Sequence, residues 1–161
     1  MEPVLLNIML VEDDDVDIMS LKRSFRKNNI QNSLFIANDG MEALDMLRGT
    51  NGKEKIVPMP MIIISDINMP KMNGLEMLKE IRADKEFDAI SVFIFTTSDL
   101  DTNRHAAQKH NVAGYIVKPI NMENFIEAVS KLHHNWRLVG NDKTTTESTL
   151  KYDGDFRTGN D

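Results

Sequence analysis

The stretch MIIISDINMPKMNG, Met61 to Gly74, decides how this chain is read. Met61 to Ile64 is an apolar, β-favouring run of the kind that suits a strand buried on both faces of a parallel sheet. It ends at Ser65-Asp66, after which Asn68, Pro70, Asn73 and Gly74 supply turn chemistry. A helical pattern begins at Leu75. Asp66 therefore stands at the carboxyl end of a buried strand, the edge where open α/β sheets bind ligands. On this stretch alone, Asp66 reads equally as a turn former or as a ligand-facing carboxylate.

The same rhythm extends both ways. Upstream, Leu5 to Val11 reads as a strand ending in Glu12-Asp13-Asp14-Asp15. Val16, Ile18, Met19, Leu21 and Phe25 then follow at roughly helical spacing, with acids first and bases last, as the helix macrodipole favours. Ser33 to Ala37 reads as a second strand. Asp39 with Glu42 resembles a capping box ahead of an apolar face of Met41, Leu44, Met46 and Leu47. Gly49 to Pro60 is a surface loop. Downstream, Asn73 with Glu76 caps a third helix carrying Leu75, Leu78 and Ile81. Ser91 to Phe95 is a fourth strand, ending in Thr96-Thr97-Ser98. Asp99 or Asp101 starts a weak helix to about His110. Ala113 to Val117 is a fifth strand ending at Lys118-Pro119, and Asn121 caps a last helix with Phe125, Ile126, Val129 and Leu132 inward. Strands alternating with helices predict a parallel sheet with helices on both faces. Residues 1–137 form the expected domain. Residues 138–161, rich in Thr, Asp, Gly and Asn, are the expected flexible polar tail.

Composition narrows the function. The 161 residues, 41% hydrophobic and 27% charged, suit one globular domain. Cysteine is absent, which excludes disulfides, thiolate nucleophiles and cysteine-ligated zinc. The N-terminus has neither a basic n-region nor a membrane-length apolar run, so a cytoplasmic location is expected. A net charge of −6 argues against non-specific nucleic-acid binding. The four histidines read as surface residues.

A parallel sheet would set Glu12, Asp13, Asp66, Thr96 and Lys118 along one edge. Three carboxylates in one crevice need a cation, and oxygen ligands alone favour Mg²⁺. A lysine and a hydroxyl nearby are what the oxygens of a phosphoryl group require. The set reads as a phosphoryl-transfer site with a carboxylate acceptor.

At these positions the chain resembles the receiver domain of bacterial two-component systems, the CheY-like single-domain response regulators. It carries LVEDD, SDINMPKMNG, FTTSD and GYIVKP in order on a five-fold βα pattern, over roughly residues 5–136. The long loop Gly49–Pro60 is similar to a receiver subgroup paired with phytochrome-type kinases.

The resemblance implies a flavodoxin-like doubly wound sheet of strand order 2-1-3-4-5 with five helices. It implies that Asp66 accepts a phosphoryl group from a phosphohistidine on a sensor histidine kinase or phosphotransfer protein. Asp13, Glu12, Asp66 and the Asn68 carbonyl would hold Mg²⁺, and Lys118 would pair with the phosphoryl group. Thr96 and Tyr115 would act as the switch, and Lys118-Pro119 would be a cis peptide. Such a domain is a signalling module rather than an enzyme, although the family phosphorylates itself from small donors and dephosphorylates itself. Output is expected through protein contacts of the fourth helix, fifth strand and fifth helix, a face that also allows homodimers. No DNA-binding output domain and no membrane contact are expected.

Two departures stand out: Glu12 replaces a common Asp, and Thr97 is bulkier than the usual small residue. Two other readings compete. A haloacid-dehalogenase-type phosphatase wants an Asp two residues after its nucleophile, where this chain has Asn68. A pseudo-receiver would lack the acceptor, the acids or the lysine, all of which are present.

Overall fold

The computed structural model describes residues 4–97, 107–132, 136–139 and 149–152. In chain order the strands are β1 (Val4–Leu5), β2 (Ile8–Val11), β3 (Leu34–Ala37), β4 (Ile62–Ser65), β5 (Ser91–Thr96), β6 (Gly114–Val117), β7 (Trp136–Val139) and β8 (Thr149–Tyr152). The helices are α1 (Asp15–Lys27), α2 (Gly40–Arg48), α3 (Gly74–Ala83) and α4 (Met122–Ser130). Five strands make one parallel sheet in the order β3-β2-β4-β5-β6. Counted within that sheet, this is the expected 2-1-3-4-5. The helix expected between Asp99 or Asp101 and His110 lies mostly outside the described residues, with 107 and 108 helical at its end.

Period-two alternation in the strands sorts the core into two layers. Ile8, Leu10, Ile62, Ile64, Phe93 and Phe95 face one way and pack with Ile18, Leu21 and Phe25 of α1 and with Phe125 and Val129 of α4. Met9, Val11, Ile63, Val92 and Ile94 face the other way, against Ala43, Leu44 and Leu47 of α2 and Met77, Leu78 and Ile81 of α3. Each fully buried Ile or Phe contributes about 1.5–3 kcal/mol of apolar transfer. The central strands thus need no polar face, which is why they read as continuous apolar runs.

Helix ends follow local chemistry. Asp14 caps α1, accepting from the N–H groups of Val16 at 2.8 Å and Asp17 at 3.2 Å. Asn73 and Glu76 form the reciprocal box expected for α3, at 3.0 and 2.8 Å. At α2 the box is incomplete. Asp39 accepts from Glu42 N at 2.8 Å, but Glu42 accepts from the N–H of Asn38, one residue before the cap. Two faces also differ from expectation. Val16 and Met19 are 73% and 59% exposed, and Met41 is 47% exposed. A residue two positions from a buried one is turned about 200° around the helix. Burial of Ile18 and Leu21 therefore turns Val16 and Met19 outward, and burial of Ala43 turns Met41 outward.

Across the expected boundary at 137/138 and into the segment expected as a tail, β7 and β8 pair antiparallel, and β8 pairs β1, giving a small sheet of order β1-β8-β7. The first expected strand is accordingly divided into β1 and β2, with Asn7 between them donating to the Pro58 carbonyl at 2.8 Å.

At the amino end of the sheet Arg82 makes a fork that no sequence pattern announced. Its guanidinium donates to the carbonyls of His110 at 2.9 Å, Ile90 at 2.8 Å and Asn111 at 3.1 Å. It ties the end of α3 to the starts of β5 and β6.

Among the glycines of the described residues, Gly74 marks the tightest approach. Its N–H donates to the Ile67 carbonyl at 2.8 Å, and a Cβ there would overlap the backbone carbonyl oxygen of Asp66. Gly74→Ala is expected to lower unfolding stability by about 3 kcal/mol, measured by urea denaturation.

Candidate functional site

The parallel ladder runs past the strand ends and fixes the backbone that follows. Glu12 N–H donates to the Ala37 carbonyl at 2.9 Å, Asp66 N–H to that of Val11 at 2.9 Å, and Lys118 N–H to that of Thr96 at 2.7 Å. The carboxyl ends of β2, β4, β5 and β6 are thereby held side by side.

Their side chains converge. The Lys118 ammonium lies 2.6 Å from Glu12 Oε1, 2.8 Å from Asp17 Oδ2 and 3.4 Å from Asp66 Oδ2. It also sits 5.1 Å from the centroid of the Phe95 ring, a cation–π contact. Glu12 Oε2 accepts from the N–H groups of Asp13 and Asp14 at 3.1 and 3.3 Å. Asp66 Oδ1 accepts from Ile67 N–H at 2.8 Å, and Ser65 Oγ donates to the Asp66 carbonyl at 2.8 Å.

Of the remaining candidates, Asp13 joins this group, and the others lie on the strands and loops that follow it. Asp13 is exposed beside it, and Asn68 is exposed in the loop after Asp66. Thr96 ends β5 half-buried, and Thr97 is exposed. Tyr115 is half-buried in β6, in register with Ile94. The Lys118–Pro119 bond is cis. Ser98, Asp99, Asp101, Arg104 and His105 lie outside the described residues. Sequence reading did not place Asp17 here. The available signal was its position one helical turn after Asp13 on an amphipathic pattern.

The acids fit a divalent cation. Oxygens of Glu12, Asp13 and Asp66 lie within 4.8 Å of one another. Glu12 is fully buried, and its Oε1 receives no properly directed hydrogen bond, although Lys118 is close in charge. A buried carboxylate held by one ammonium still has lone pairs that a cation can take. An all-oxygen set of this kind suits Mg²⁺ or Mn²⁺.

Burial dominates the titration of Glu12. It pushes the carboxyl from its ordinary 4.5 up to about 7, with the Asp66 charge adding and the Lys118 ammonium opposing. For Lys118, burial pulls downward, but Asp17, Glu12 and Asp66 outweigh it and hold the ammonium firmly protonated.

A doubly wound parallel sheet with clustered carboxylates and a lysine at its carboxyl edge is the arrangement of a receiver-type domain, and receiver domains are signalling domains. The chain belongs to the response regulator receiver domain family, which matches residues 8–130. It is similar to a two-component response regulator from Legionella pneumophila, at 41% identity, 76% coverage of this chain and 94% of that one, with a TM-score of 0.70. It is also similar to the phosphorylated cyanobacterial phytochrome response regulator RcpA, at 30% identity, coverage of 75% and 86%, and a TM-score of 0.66. The Mn(2+)-bound form of response regulator Rcp1 matches at 26% identity, with coverage of 79% and 93% and a TM-score of 0.65. Among the described residues no helix is long and apolar enough to cross a membrane.

The raised Glu12 pKa has a defined sign. Between about 4.5 and 7 the folded chain keeps a proton that the unfolded chain has lost. That stabilisation is complete below 4.5 and disappears as pH rises through 7. In chelator, wild type should therefore lose roughly 3 kcal/mol relative to Glu12→Gln over this range, read from urea denaturation at each pH.

Proposed function

We propose that Asp66 is the acceptor of a phosphoryl group, delivered by a phosphohistidine on a sensor histidine kinase or phosphotransfer protein, in a Mg²⁺-dependent reaction. The observation that carries this reading is the placement of Asp66 3.4 Å from the Lys118 ammonium and within the oxygen cluster of Glu12 and Asp13.

Each residue then has a task. Asp66 Oδ2 forms the new bond to phosphorus as the bond to the histidine nitrogen breaks and the electron pair leaves with the imidazole. The N–H of Ile67 holds the other oxygen and orients the carboxylate. Glu12, Asp13, Asp66 and the Asn68 carbonyl would hold Mg²⁺. When bound, the metal neutralises the crowded acids and offsets charge on the transferring oxygens. Lys118 supplies a fixed positive charge to a phosphoryl oxygen, in a wall too apolar to screen it. The Thr96 hydroxyl donates to another, and Tyr115 reorients with it.

Output would pass through the face formed by the segment ending at 110, β6 and α4. A cavity of about 430 Å³ opens there, and its lining runs from Lys118 and Pro119 to Tyr115 and Phe125. Phosphorylation at one end of that wall can thus change what docks on it, whether a downstream protein or a second copy of the chain. The likeness to a phytochrome response regulator and the long Gly49–Pro60 loop favour a phytochrome-type kinase as the donor.

Intact mass after incubation with acetyl phosphate and Mg²⁺ tests the acceptor. Wild type should gain one phosphoryl group. Asp66→Asn should gain none while its thermal unfolding stays cooperative. Persistent uptake by Asp66→Asn would sink the assignment. Lys118→Ala should still take up phosphate, at a rate about tenfold or more lower.

A further inference from the structure

Two cations draw on the same carboxylates at this edge. Glu12 and Asp66 belong to the oxygen cluster that suits a metal, and both also contact Lys118. Asp17 stands apart. It contacts the ammonium at 2.8 Å and is not a member of that cluster. Its backbone is fixed in the first turn of α1, where Asp14 accepts from its N–H at 3.2 Å. The ammonium sits 2.6 Å from Glu12, 2.8 Å from Asp17 and 3.4 Å from Asp66, so that of the two carboxylates outside the buried Glu12 it is nearer to Asp17.

We propose that Asp17 is the resting counter-ion of Lys118, a positioning residue that holds the ammonium off Asp66 until a phosphoryl group arrives. This rests on the reading of Asp66 as the acceptor. Burial makes the exchange one-sided. The Lys118 side chain is 8% exposed, whereas that of Asp17 is 27% exposed. Lys118 must always have an anion, because an ammonium cannot stay unpaired in that wall. Asp17 can be released to water at small cost. With a metal on Glu12 and Asp66, Asp17 is the carboxylate left to Lys118. Once Asp66 carries a phosphoryl group, its oxygens outbid Asp17 and the ammonium moves across.

The test is the affinity for beryllofluoride, a phosphoryl mimic, at saturating Mg²⁺ by calorimetry. Asp17→Asn should bind about three- to tenfold more tightly than wild type, a direction that mere structural damage would not produce. Asp17→Glu should return to the wild-type value. Asp15→Asn, an exposed change of equal charge on the same turn, should match wild type. In a Lys118→Ala background, Asp17→Asn should make no difference. In the metal-free chain, the Lys118 ammonium nitrogen resonance should move in Asp17→Asn and stay in place in Asp15→Asn. Equal affinities for Asp17→Asn and Asp15→Asn, a gain that survives Lys118→Ala, or a stationary ammonium resonance would each overturn the inference while leaving the acceptor reading intact. Failure of wild type itself to bind beryllofluoride would overturn both.

Discussion

The ammonium of Lys118 is the constraint around which the molecule is arranged. It is nearly buried, and a buried charge is tolerated only when paired. Its partners come from β2, from the loop after β4 and from α1, while Phe95 of β5 lies under it. Bringing three carboxylates to 2.6–3.4 Å of one nitrogen, with the ring at 5.1 Å, depends on parallel strands held in register. Ladder bonds that run past the strand ends hold that register, and apolar layers cover both sides of the sheet. The same layers lower the local dielectric, which strengthens the pairing and raises the cost of any carboxylate left without a cation.

The loop after Asp66 is confined from two directions. Gly74 brings the start of α3 against the Asp66 carbonyl, and Gly40 at the start of α2 donates to the Met72 carbonyl at 2.9 Å. A side chain at either glycine would push into the loop. The rigidity of Asp66 is thus set by helix starts on the layer opposite to α1. Arg82 performs a related service at the far end of the sheet by collecting three carbonyls from two segments.

Much of this was legible in the sequence, for identifiable reasons. Strands buried on both faces write themselves as unbroken apolar runs, so their number and order could be read. The strand-end acids, Thr96 and Lys118 followed once the sheet was taken as parallel. Helix faces were harder. Apolar residues at Val16, Met19 and Met41 look like core to a pattern, but only packing decides which side of a helix turns inward. Asp17 was missed because a charged residue in a first helical turn already has an adequate explanation in the helix dipole. Arg82 acts through backbone carbonyls, which leave no trace in residue identity. The short strands β7 and β8 sit among polar residues with too little alternation to announce them.

The charge cluster also has a bearing on when the chain can act. Asp17 and Lys118 are 101 residues apart in sequence, yet they share a hydrogen bond. A nascent chain leaving the ribosome has its acids early and its lysine late, and the cluster closes only after β6 has docked against β5. A chain that stops short of β6 holds the acids Glu12, Asp17 and Asp66 with no Lys118 among them.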